Sequence, residues 1–153
     1  MNRNRLLNAD LTHAIASMGH GDFMIVCDAG FPIPSNAWRI DLSIVPDVPD
    51  LETMLTAIAD AFIAEKVAYA DTLPDHNKPL LECVKRIFAD AEHEMMPHAR
   101  ILGEMAHAAK VIVRTGAFDP WGNILLYSGV DVPQWFSKEG TVPPDYYAAK
   151  LKV

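Results

Sequence analysis

The chain has 153 residues, half of them hydrophobic and 22% charged, and a formal net charge of −7. That length forms one domain with a real core and leaves little for a second module. No apolar run approaches the roughly 18 residues of a membrane span, and an acidic chain with no Lys/Arg stripe repels phosphate backbones, so neither a membrane nor nucleic acid is expected as a partner.

Asn8 or Asp10 can cap a first helix through LTHAIASM, where Leu11, Ile15 and Met18 recur at i, i+4 and i+7 and Gly19 supplies the stop. FMIVC is too short for a helix and rich in strand formers, so it reads as a buried strand ending at Asp28. Pro32 and Pro34 make the following AGFPIPSNA a loop. WRIDLSIV is a second extended segment, and Asp50 at the end of PDVPD caps a helix over LETMLTAIADAFIAE. KVAYA is a short strand. Asn77 and Pro79 then open a helix, LLECVKRIFADAEHEM, with Leu80, Val84, Ile87 and Phe88 as its core stripe and Pro97 as its end. ARILGEMAHAA is a shorter helix, KVIVRTG a strand, AFDPWGN a turn and ILLYSG a last strand.

Strands alternating with helices predict an α/β three-layer fold, a mainly parallel sheet flanked by helices. Ligands of such sheets bind beyond the carboxyl ends of strands, where Asp28 and the Thr115 to Asn123 turn would lie. The tail from Asp131 carries Trp135, Phe136, Tyr146 and Tyr147 among prolines and is expected to dock on a surface. The apolar stretch after Arg3 and Arg5 is too short for a signal peptide, which places the protein in the cytoplasm. Cys27 and Cys83 form no CxxC pair and are expected to be reduced and buried.

Phosphate loops, GxGxxG, GxSxG and HExxH are all missing, which leaves isolated polar residues at strand ends and turns: His20, Asp22, Asp28, His98, Arg114, Trp121 and Asn123. A histidine between two glycines is sterically free and titrates near neutrality, which suits acid/base work; capping the carbonyls of the preceding helix is its bland alternative. Asp28 could bind a ligand hydroxyl or orient His20, or merely satisfy N–H groups of its own loop. Asp22 is better explained as a turn residue. His98 reads locally as a loop histidine. Trp121 offers a flat face for a sugar ring, or plugs the core edge, and Asn123 offers a donor and an acceptor. A metal held by His20, Asp22, Asp28 and His98 matches no known ligand spacing, so none is expected.

Four ordered motifs across residues 5–130 carry a resemblance: RLLNADLTHAIASMGHGD, CDAGFPIP, RIDLSIVPDVP and VIVRTGAFDPWGNILLYSGV. The chain resembles the D-ribose pyranase/L-fucose mutarotase (RbsD/FucU) family, nearer the ribose branch in its Asp-Ala-Gly loop. That resemblance implies cofactor-independent interconversion of the ring forms of a reducing monosaccharide. It implies His20 as the acid/base, and Asp28, His98, Trp121, Gly122 and Asn123 as sugar-binding residues, with no metal. It also implies a homo-oligomer, typically a ring of ten, with the site near subunit contacts. Trp121 stands where the family usually has tyrosine, the feature that favours the alternative of a non-catalytic sugar-binding or transport accessory protein. Residues 1–130 would form the sugar-binding domain, and 131–153 an extension packing on the same domain or on a neighbouring subunit.

Overall fold

A computed structural model describes residues 6–151; Arg3 and Arg5 of the N-terminal stretch lie outside them. Asn8 starts α1 (Ala9–Ala16) by accepting the Leu11 backbone N–H at 2.9 Å, and Leu11 and Ala14 turn into the core. β1 (Phe23–Cys27) is buried along its whole length, as an unbroken apolar run requires. β2 (Arg39–Asp41) is short, and α2 (Leu51–Ala59) begins where Asp50 accepts the Thr53 N–H at 2.8 Å.

β3 (Ala64–Ala70) starts earlier than expected and takes over the end of the segment assigned to α2. α3 (Leu73–His76) leads to α4 (Lys78–Ile87), capped by Asn77. The helix expected to run to the Glu-rich EHEM stretch stops at Phe88. Glu92–Met96 is instead a strand, β4, paired in parallel with β3 from Lys66↔Glu92 to Ala70↔Met96. Its glutamates favour a helix locally, but they also suit a solvated sheet edge, and the Lys66–Glu94 ion pair at 2.8 Å reinforces that pairing.

A continuous helix over 98–108, α5, has a π-helical centre at Ile101–Met105. β5 (Val111–Arg114) and β6 (Asn123–Ser128) follow, and the tail forms α6 (Val132–Trp135) and a 3-10 helix (Asp145–Leu151). Val132 is the buried anchor of the tail, whereas Trp135 and Tyr146 stay exposed.

The sheet order is β2-β5-β1-β6-β3-β4. β5 runs parallel to β1 and β2, and β3 parallel to β4, but β6 is antiparallel to both β1 and β3. The sheet is therefore mixed. The 115–122 connection is too short for a parallel crossover, so β6 has to return against β1. Alternate side chains of the strands feed two cores. Met24, Val26, Val67, Tyr69, Ile124 and Leu126 pack against α1, α2 and α4, while Phe23, Ile25, Ala68, Ile112 and Leu125 pack against α5 and Phe31. Three layers result. Cys27 and Cys83 are both free, and Cys83, expected to be buried, is only half-buried on the outer side of α4 beside Arg86. Among the described residues no helix is long and apolar enough to cross a membrane.

Candidate active site

Strand direction collects one set of polar residues at the carboxyl ends of β1 and β5 and the start of β6. The Asp28 N–H donates to the Gly122 carbonyl at 2.8 Å and the Ala29 N–H to the Ala117 carbonyl at 2.9 Å, which straps the Asp-Ala-Gly loop to the turn before β6. Arg114 locks it from the other side, donating through Nε and Nη2 to the Ala29 carbonyl at 3.0 Å each and through Nη1 to the Asp41 carboxylate. Fully buried Thr115 ties the strand ends together, donating to the Cys27 carbonyl at 2.8 Å and accepting the Ala117 N–H at 3.1 Å.

Asp28 Oδ1 accepts the Gly30 N–H at 2.7 Å, which is its loop-building role. Its second oxygen faces Asn123, which is only 3% exposed. With the Asn123 nitrogen turned inward, the amide donates to Asp28 Oδ2 at 3.3 Å and to the Gly122 carbonyl at 3.2 Å. Burial pushes the Asp28 carboxyl up from its ordinary value, an effect that the Gly30 N–H and nearby His98 offset only in part. A carboxyl raised in the fold favours folding only when protonated, so its ionisation costs stability as pH rises from 3.8 through the raised value. Asp28→Asn is therefore expected to raise the thermal midpoint at about pH 7 and to lose that stability advantage below 3.8, as unfolding of both proteins across pH would measure.

Asp28 also lines an open cavity of about 460 Å³, together with Ala29, Gly30, Arg114, Phe118 and Pro120. Trp121 adopts the left-handed conformation, φ +57°, unusual for a bulky residue. Its ring rests on His76 with centroids 4.8 Å apart and packs on both cores, so it does not line the cavity. Gly122 has no room for a side chain, since a Cβ would lie 2.7 Å from Leu51 Cδ1 and 2.8 Å from the Asp119 carbonyl oxygen. His98 opens α5 near Asp28, and its Nε2 is buried without a hydrogen-bond partner.

His20 is elsewhere. It precedes β1, whereas Asp28 follows it, and five residues of strand put about 16 Å of sheet between the two ends. Within one chain Asp28 cannot orient His20. The His20 side chain is 43% exposed and its Nε2 lies 3.1 Å from each oxygen of the Glu65 carboxylate, so this nitrogen serves Glu65 rather than the end of α1. Asp22 is the turn residue expected: its carboxylate accepts the Gly19 N–H at 2.7 Å and pairs with Lys110. The bond from Lys110 and that N–H hold the Asp22 carboxyl below its ordinary value. His20 and Asp22 thus lie across the sheet from Asp28 and His98, and among the described residues no group of three or more His, Cys, Asp or Glu is placed to hold a metal ion. The residues sequence reasoning missed are Glu65 and Arg114's grip on the loop. Glu65 stands 45 positions from His20, and only strand pairing brings them together.

The chain belongs to the RbsD/FucU family: residues 1–131 match the profile of the RbsD / FucU transport protein family. It is 54% identical over 147 residues to D-ribose pyranase 2 of Rubrobacter xylanophilus, covering 96% of either chain. It is 50% identical to D-ribose pyranase 1 of Streptomyces griseus, covering 99% of this chain and 100% of that one. Among solved structures it superimposes on Bacillus subtilis RbsD, complexed with D-ribose, with a TM-score of 0.81 and 31% identity, covering 85% of this chain and 98% of the other.

Proposed function

We propose that this chain is an isomerase that interconverts the ring forms of a reducing monosaccharide, D-ribose before L-fucose, with His20 as general acid/base. Its similarity over nearly full length to two D-ribose pyranases supports the reaction class. The observation that carries the site is the buried polar pair at the carboxyl edge. His98 Nε2 is buried without a partner beside Asp28, which lines the open cavity and whose oxygens, each taking one bond from Gly30 or Asn123, keep further lone pairs. Sugar hydroxyls complete the histidine and donate to the carboxylate. Asn123 orients the carboxylate, and the Trp121-Gly122 turn holds Asn123 in place.

The chemistry needs only protons. His20 takes the proton of the anomeric hydroxyl as the carbonyl forms and the bond from the anomeric carbon to the ring oxygen breaks, and the imidazolium returns a proton to that ring oxygen. The two oxygens share one carbon, so a single nitrogen reaches both. In the open aldehyde another hydroxyl, or the same one from the opposite face, attacks the carbonyl with the proton moves reversed. The histidine ends as it began, and no electron or group is transferred to a cofactor.

His20 reaches such a sugar only from a second copy of the chain. Phe118, on the rim of the Asp28 cavity, is 66% exposed, and Ile44, Val45 and Val48 on the adjoining loop are exposed as well, an apolar face beside a half-site. Head-to-tail contacts, in which the His20 edge of one copy meets the Asp28 edge of the next, close into a ring and supply every cavity with an imidazole. Residues 131–153 are an extension to that unit.

Saturation-transfer NMR on ribose and fucose tests the proposal. Protein-accelerated exchange between ring forms supports catalysis, and faster exchange for one sugar names the substrate. Binding without acceleration refutes the isomerase and leaves the sugar-binding accessory protein, the reading that loss of the family tyrosine at Trp121 favours.

A further inference from the structure

We infer that Glu65 and Lys150 position His20, so that the C-terminal extension takes part in the chemistry of the site. The inference rests on the ring-interconversion reading above. Glu65 sits where the pairing of β3 with β6 shifts register, between Ala64 and Lys66, and such an irregularity re-aims a side chain. Its stem is pinned by the chain leaving β6, because a Cβ at Gly129 would lie 2.9 Å from Glu65 Cβ. The carboxylate then bridges two donors from distant parts of the sequence: His20 Nε2 at 3.1 Å and, from the 3-10 helix of the tail, Lys150 Nζ at 3.1 Å.

An ionised carboxylate only accepts hydrogen bonds, so His20 Nε2 must carry a proton and Nδ1 is left with the free lone pair. One tautomer is thereby selected, and both proton transfers pass through Nδ1. Burial pushes the Glu65 carboxyl up, but the bonds from Lys150 and His20 outweigh it and hold the carboxyl below its ordinary value, so it stays ionised. Lys150 also fixes the direction of the carboxylate. Without it, the Glu65 side chain would be held at its tip by His20 alone.

The test uses the full-length variants Glu65→Gln and Lys150→Met. Gln keeps the shape of Glu65 but offers a donor as readily as an acceptor, so it no longer selects the tautomer. Both variants are expected to lower kcat of ring exchange, Glu65→Gln by about tenfold and Lys150→Met by less, with KM unchanged if both act only through His20. In ¹⁵N spectra the His20 ring should shift from the Nε2–H form to a mixture of tautomers. Wild-type kcat and an unchanged tautomer in Glu65→Gln would overturn the inference, as would lowered thermal stability with kcat intact. A tenfold loss in Glu65→Gln but none in Lys150→Met would remove the extension from the site. If Glu65→Gln does not fold, kcat and the tautomer in Lys150→Met decide. Full activity in His20→Ala would strike the acid/base assignment itself, a separate failure.

Discussion

His20→Ala is expected to slow protein-catalysed exchange of ribose ring forms by about 10²–10⁴-fold, the worth of one positioned acid/base, while ribose still binds. The side chain is exposed at a turn, so its truncation leaves the fold intact. The decisive form of the experiment mixes two inactive proteins. Asp28→Ala removes the carboxylate from the opposite edge and should be inactive alone. If every working site draws His20 from one copy and Asp28 from the next, oligomers reassembled from equal amounts of the two variants regain about a quarter of wild-type activity, because random neighbours pair an intact imidazole with an intact carboxylate at that frequency. No recovery after verified subunit exchange would mean that one chain supplies both groups.

The largest expected loss of stability comes from a residue with no chemistry. Gly116 lies where the chain leaving β5 crosses the loop before α2. Its N–H donates to the Pro49 carbonyl at 2.9 Å and its carbonyl accepts the Asp47 N–H at 2.7 Å. A methyl there would come 2.5 Å from the Val45 carbonyl oxygen and closer still to that of Val48, both rigid backbone atoms. Gly116→Ala should therefore cost about 3 kcal/mol in denaturant unfolding. Gly103→Ala makes the control. It sits on α5 with nothing within 4 Å of the added carbon, and should be neutral or stabilising by up to about 1 kcal/mol. Equal effects at the two positions would refute the steric argument.

These contrasts show which features a linear reading can reach. β1 was legible because FMIVC is apolar without interruption, and the caps Asn8, Asp50 and Asn77 because each precedes a helical period by a fixed offset. The approach of Asp28 to Asn123 followed from the rule that strand ends gather ligands. EHEMM was not legible as a strand. Its glutamates carry helical propensity, and its pairing with β3 is a tertiary event that propensity does not encode. The option that Asp28 orients His20 failed for a geometric reason: a five-residue strand separates its two ends more surely than nearness in sequence joins them. Glu65 could not be read at all, since its partners lie 45 and 85 positions away.

β6 begins at Asn123, which bonds Asp28, and ends at Ser128, whose carbonyl accepts the Gly21 N–H next to His20. This one rung spans the molecule from its receiving side to its giving side. In the proposed circle of copies it would act as a spacer of fixed length, so lengthening or shortening it by a residue would put two junctions out of alignment at once, one on each flank, however well the altered subunit itself folded.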